Sequence, residues 1–201
     1  MKSKLKERPY KFFKPLLSLI FKLYYNPKII GKENILNDGP IIIAGNHKHV
    51  FDQCGVIIAT KRVIHYMAKK EYFDSKMSWF FKMTGCIPVD RSIHDDNAKT
   101  EALNVLEDGK ALGIFPEGTR NKTDAFLLPF KFGCVSMAKK TNASIIPFAV
   151  TGDYKFRSKN LVYRIGKPFK VGNMELPEAN KRLEKVISSL MKKSLSEEKM
   201  K

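Results

Sequence analysis

Cysteine is scarce in this chain of 201 residues: Cys54, Cys86 and Cys134 stand far apart, with no C-x-x-C pair. That spacing rules out a disulfide scaffold and argues against a cysteine-based zinc site; reduced thiols in a cytosolic compartment are the expectation. Acidic residues are few as well, 20 against 37 Lys and Arg. No apolar run reaches the roughly 20 residues that a membrane-spanning helix needs. The first apolar stretch lacks the small-residue cleavage site of a secretory signal. Internal repeats, low-complexity tracts and a G-x-S-x-G nucleophile elbow are missing too. What is present is a globular composition, 43% hydrophobic and 28% charged, at a length that suits one domain with a full core, with or without an appended arm.

A net charge of +17 calls for an anionic partner, and the excess is greatest at the two ends. The first 14 residues carry Lys2, Lys4, Lys6, Arg8, Lys11 and Lys14 against Glu7 alone, and the tail from Lys181 holds seven basic residues against three glutamates. The stretch adjoining the basic start points to a membrane. Over residues 11–25, KFFKPLLSLIFKLYY, the residues Lys11, Lys14, Ser18 and Lys22 fall at helical spacing and make one narrow polar stripe, the remainder being Phe, Leu, Ile and Tyr apart from Pro15. A basic stripe beside a broad apolar face suits a helix lying in the membrane interface. Immersing about five such side chains at roughly 1.5–3 kcal/mol each is worth several kcal/mol even when burial is incomplete, and each nearby Lys or Arg adds about 1 kcal/mol against an anionic leaflet. The competing placement is a helix packed on its own domain. Pro15 disfavours helix at Lys14, so the helix is expected to start at Pro15 or kink there. Residues 1–27 therefore read as a basic amphipathic membrane-interface arm and residues 28–201 as the domain proper, held peripherally at the cytoplasmic face of the cell membrane. The chain has no recognisable nucleic-acid-binding motif, and its basic stripe adjoins an apolar face, so nucleic acid is not the expected partner.

Beyond the arm, short β-branched runs alternate with helical patterns. Strands are predicted at residues 28–31, 41–44, 63–68, 86–89, 111–115, 144–150 and 161–165, and helices at 51–60, 75–83, 94–107, 132–140 and 176–195. This alternation implies a single α/β domain with a mostly parallel sheet flanked by helices, in which ligands gather at the carboxyl ends of the strands. The aromatic stretch Tyr72, Phe73, Trp79, Phe80 and Phe81 fits either the entrance of such a site or an ordinary core helix.

Two segments at predicted strand ends carry chemistry. Asn46-His47-Lys48-His49-Val50-Phe51-Asp52 comes directly after the most apolar strand. On a regular helix two residues five apart are about 140° apart and share no face, but a strand-to-helix turn can bring Asp52 back to the imidazole of His47. The carboxylate would then fix the tautomer and leave the other nitrogen as a general base. The second segment is Phe115-Pro116-Glu117-Gly118-Thr119-Arg120. Gly118 permits close backbone approach, Thr119 and Arg120 offer donors suited to phosphate, and Glu117 either steadies Arg120 or accepts from a substrate hydroxyl. His65 and His94 read as ordinary strand or surface residues.

A His-x4-Asp turn followed about 70 residues later by FPEGTR resembles the glycerolipid acyltransferase family, which includes the 1-acyl-glycerol-3-phosphate acyltransferases. The segments 85–91 (GCIPVDR), 129–133 (PFKFG) and 145–148 (IIPF) resemble further blocks of that family, in its order. The resemblance covers roughly residues 29–168 and implies acyl transfer from a thioester, acyl-CoA or acyl-ACP, to the 2-hydroxyl of a lysophosphatidic acid. His47 is then the base, Asp52 its orienting partner, and Arg91, Glu117, Gly118, Thr119, Arg120 and Lys131 the phosphate site, with Ile146 and Pro147 in the acyl pocket. Neither metal nor bound cofactor is implied. Glycerol 3-phosphate or another lysophospholipid is the alternative acceptor. The family usually has serine where this chain has His49, which either replaces the serine hydroxyl or competes for Asp52.

Overall fold

The computed structural model describes Leu5 and residues 7–76, 78–93 and 95–200; Lys2, Lys4, Lys6 and His94 lie outside the described residues. Its organising element is β2 (Ile41–Gly45), three isoleucines followed by Ala44 and Gly45, buried along its whole length. A strand apolar on both faces must be covered on both, which only a central position between two helical layers provides. β2 pairs in parallel with β5 (Ala111–Ile114) on one side and with β6 (Ser144–Thr151) on the other. β1 (Lys28–Ile30), β3 (Ile64–Lys69), β4 (Ile87–Val89) and β7 (Val162–Ile165) complete a seven-stranded sheet of order β1-β7-β6-β2-β5-β3-β4. Only the β6–β7 pair is antiparallel.

Side chains alternate across the sheet with a period of two. Ile42, Ala44, Leu112, Ile145 and Ala149 face α4 (Asp96–Glu107), α5 (Gly133–Thr141) and α6 (Leu176–Lys199). Ile41, Ile43, Ile64, Tyr66, Ile146 and Phe148 pack on the opposite side, with Val56 of α2 (Asp52–Ala59). The remaining helices are α1 (Arg8–Tyr25) and the short α3 (Ser78–Met83), which buries none of its described residues and is therefore not a core helix.

The N-terminal helix departs from expectation in two ways. It begins at Arg8 and runs through Pro15. Pro15 is exposed, so water can serve the carbonyl that its missing N–H leaves free. Its polar stripe, moreover, does not simply face outward. Lys14 turns inward, its ammonium donating to the carbonyl oxygens of Thr60 (2.6 Å) and Arg62 (2.8 Å) just past the end of α2. Partial burial lowers this lysine to about 8. Tyr10 and Phe21 are the buried anchors on the same side. Phe12, Leu16, Leu19 and Leu23, at helical spacing, point outward and are 54–77% exposed. No helix among the described residues is long and apolar enough to cross a membrane.

Candidate active site

His47 stands just past the carboxyl end of β2, and Asp52 opens α2. The intervening turn folds back so that Asp52 Oδ2 lies 2.8 Å from His47 Nδ1 and also accepts from the amides of Lys48 and His49, each at 2.7 Å. A carboxylate can only accept here, so Nδ1 carries the proton, and in the neutral imidazole the lone pair is on Nε2. The imidazole stacks on Phe115, 3.9 Å between ring centres and 10° from parallel. Asp52 is wholly buried, whereas the His47 side chain is 14% exposed at the cavity wall.

The FPEGTR segment reaches this turn because β5 lies beside β2 in parallel register, so residues 70 apart in sequence end at the same sheet edge. Glu117 makes the junction. It is buried, one oxygen accepting from the His47 amide (2.7 Å) and the other from the Leu128 amide (2.8 Å). Asn121 N–H in turn donates to the His47 carbonyl at 2.6 Å. Glu117 thus clamps the two segments together, a different place from the phosphate site suggested by its neighbours. Burial raises its pKa, and the two amide hydrogen bonds oppose that rise. Glu117→Gln is expected to destabilise the fold by about 1–3 kcal/mol, because the new NH₂ faces one of two N–H donors. Thermal melting checks this, at roughly 2–4 °C per kcal/mol for a domain of this size.

His47, Arg91, Gly118, Thr119, Arg120 and Lys131 all line one cavity of about 1600 Å³. Gly118 has φ +72°, and a Cβ there would come within 2.8 Å of Lys131 Cε, so glycine is what lets the lysine stem cross the turn. The cavity continues under α1, where Phe13, Leu17, Phe21, Ile57 and Ile64 make an apolar wall. Tyr72, Phe80 and Phe81 belong to it, Phe73 packs against Phe81, and Trp79 stands 61% exposed beside them. Cys54 and Cys134 also line it, but burial pushes both thiols up to about 12, and neither is a thiolate near neutral pH.

Ile146 and Pro147 do not join this site. Both are buried in β6, the strand beside β2, and neither lines the cavity. A strand apolar on both faces does not reveal from sequence which side chains meet a ligand. His65 is buried in β3, its Nδ1–H donating to the Gly85 carbonyl at 2.8 Å. The His49 ring does not compete for Asp52: the residue's amide serves that carboxylate, while the ring stacks on Tyr154 at 4.2 Å and its Nδ1 faces the Phe51 amide at 3.4 Å. Tyr154 donates to the second oxygen of Asp52 at 2.6 Å, across 102 residues of sequence. No sequence signal marked it.

Residues 26–151 match the family described as Acyltransferase. The chain is 34% identical over 166 residues to the 1-acyl-sn-glycerol-3-phosphate acyltransferase of Bacillus subtilis, covering 79% of this chain and 81% of that protein. It is 32% identical over 148 residues to the protein of the same name from Borreliella burgdorferi, covering 69% of this chain and 56% of the relative. The fold superimposes on the crystal structure of the 1-acyl-sn-glycerophosphate (LPA) acyltransferase PlsC from Thermotoga maritima with a TM-score of 0.73, at 24% identity, covering 89% of this chain and 78% of that one.

Proposed function

Because this chain belongs to the acyltransferase family, we propose that it moves a fatty acyl group from a thioester, acyl-CoA or acyl-ACP, to the 2-hydroxyl of 1-acyl-glycerol 3-phosphate, giving phosphatidic acid. The observation that carries this reading is the His47–Asp52 pair with its free Nε2 on the wall of a cavity that is cationic in one part and apolar in another. His47 Nε2 takes the proton of the acceptor hydroxyl as that oxygen attacks the thioester carbonyl carbon. Asp52 stabilises the resulting imidazolium. Collapse of the tetrahedral adduct breaks the C–S bond, and the thiolate leaves with the proton held by His47. The acceptor alcohol is itself the nucleophile, so no acyl-enzyme forms. Arg91, Arg120 and Lys131, with Gly118 and Thr119, hold the acceptor phosphate by charge-assisted hydrogen bonds.

Both the acceptor and its product reside in a bilayer. The outward apolar face of α1 and its flanking Lys11 and Lys22 support peripheral attachment by the arm formed by residues 1–27, with the cavity beneath it open to a lipid chain. The test is acyl transfer on vesicles, with 1-acyl-glycerol 3-phosphate and glycerol 3-phosphate as parallel acceptors and both thioesters as donors. Phosphatidic acid is the expected product. Transfer to glycerol 3-phosphate alone would keep the chemistry and move the acceptor; no transfer to either overturns the reading.

A further inference from the structure

A wholly buried carboxylate has no water to serve it and depends on its protein donors. Asp52 Oδ2 has three, and all come from its own turn: His47 Nδ1–H and the amides of Lys48 and His49. Oδ1 accepts from the phenol of Tyr154, which reaches it from the β6–β7 connection. That connection lies beyond residues 26–151, the span of the family match.

Tyr154 is held from several directions. The hydroxyl of Tyr163 lies 2.6 Å from its own. Since Tyr154 gives its proton to Asp52, Tyr163 is the donor in that second bond. The Tyr163 ring fits under α2 only because residue 55 is glycine: a Cβ there would come within 2.2 Å of it. His49 stacks on one face of Tyr154, 18° from parallel, and Tyr25 at the end of α1 meets it edge-on at 5.6 Å. Burial raises both phenols well above the ordinary tyrosine value, so both remain protonated donors.

We propose that Tyr154 is a positioning residue for the reaction, acting through Asp52, with His49 and Tyr163 as the side chains that hold it in place. The inference rests on the reading of His47 as the base. Rotation about the terminal torsion of an aspartate is soft. Donors on Oδ2 alone leave the far oxygen undirected; the Tyr154 hydroxyl fixes the carboxylate plane and keeps Oδ2 on His47 Nδ1. A charge-assisted hydrogen bond in a dry site is strong enough to do this.

Tyr154→Phe keeps the ring and its stacking but removes the donor. The expected result is a kcat about tenfold lower, with KM for both substrates unchanged, a factor equivalent to about 1.4 kcal/mol. In an Asp52→Ala background the same substitution should change nothing further, because its route is gone. The low-field proton resonance of His47 Nδ1–H, assigned by its loss in His47→Ala, should be displaced in Tyr154→Phe. A purely structural role would instead lower the melting temperature and cut kcat equally in both backgrounds. An unmoved resonance, or a kcat loss that persists without Asp52, overturns the proposal. Should the wild type transfer no acyl group, the proposed reaction fails while the resonance still decides the role of Tyr154.

Discussion

Replacing His47 by alanine is expected to lower kcat for acyl transfer about a thousandfold, within the range that a positioned general base contributes. The alcohol of the acceptor is a poor nucleophile until its proton is taken, and the groups packed around His47 are committed elsewhere. Asp52 is buried with its oxygens committed to four donors. Glu117 is likewise committed to two backbone amides, and the thiols of Cys54 and Cys134 are protonated near neutral pH. His49 is turned away, its ring stacked on Tyr154 and its Nδ1 within 3.4 Å of the Phe51 amide. The loss should appear in kcat with little change in KM, since the residues proposed to hold the acceptor phosphate are left intact. Steady-state kinetics on mixed micelles check it; retention of even a tenth of wild-type kcat would remove His47 from the role of base.

Substituting the outer face of α1 should have a comparably large effect on membrane partitioning. Phe12, Leu16, Leu19 and Leu23 stand 77%, 58%, 54% and 58% exposed, an apolar strip that water does not favour. Each side chain fully immersed would contribute roughly 1.5–3 kcal/mol. Even at half that burial, serine at Leu16, Leu19 and Leu23 should weaken vesicle binding by about a hundredfold, because 1.4 kcal/mol is a factor of ten. The fold should survive, since α1 is fastened from its other side by Tyr10, Lys14 and Phe21. Vesicle co-sedimentation together with thermal melting separates the two effects. Unchanged sedimentation would show that another surface carries attachment.

Sequence patterns with a local physical cause translated directly into structure. The Ile41–Ala44 run became a central strand because only burial on both faces suits such a stretch. Alternating strands and helices became a largely parallel sheet for the same reason. The His-x4-Asp turn closed because five residues suffice for a strand-to-helix reversal. Other features depended on which strands became neighbours. Glu117 looked like part of a phosphate site because Gly118, Thr119 and Arg120 come next in the chain; its clamp on His47 exists only through the β2–β5 register. Ile146 and Pro147 read as pocket residues, but β6 buries them in the sheet. Lys14 was one residue of a polar stripe until the Thr60 and Arg62 carbonyls beyond α2 gave its ammonium inward partners. Tyr154 carried no local signal at all.

Chain spacing thus determined most of the elements, the His47–Asp52 turn and the amphipathic character of the N-terminal helix, since periodicity and turn chemistry act over a few residues. Strand order decided that Glu117 accepts from the His47 amide and that the Tyr154 phenol reaches Asp52. Hydrogen bonds form between groups within about 3 Å of one another, and residues 70 or 102 positions apart come that close only when the sheet brings them there.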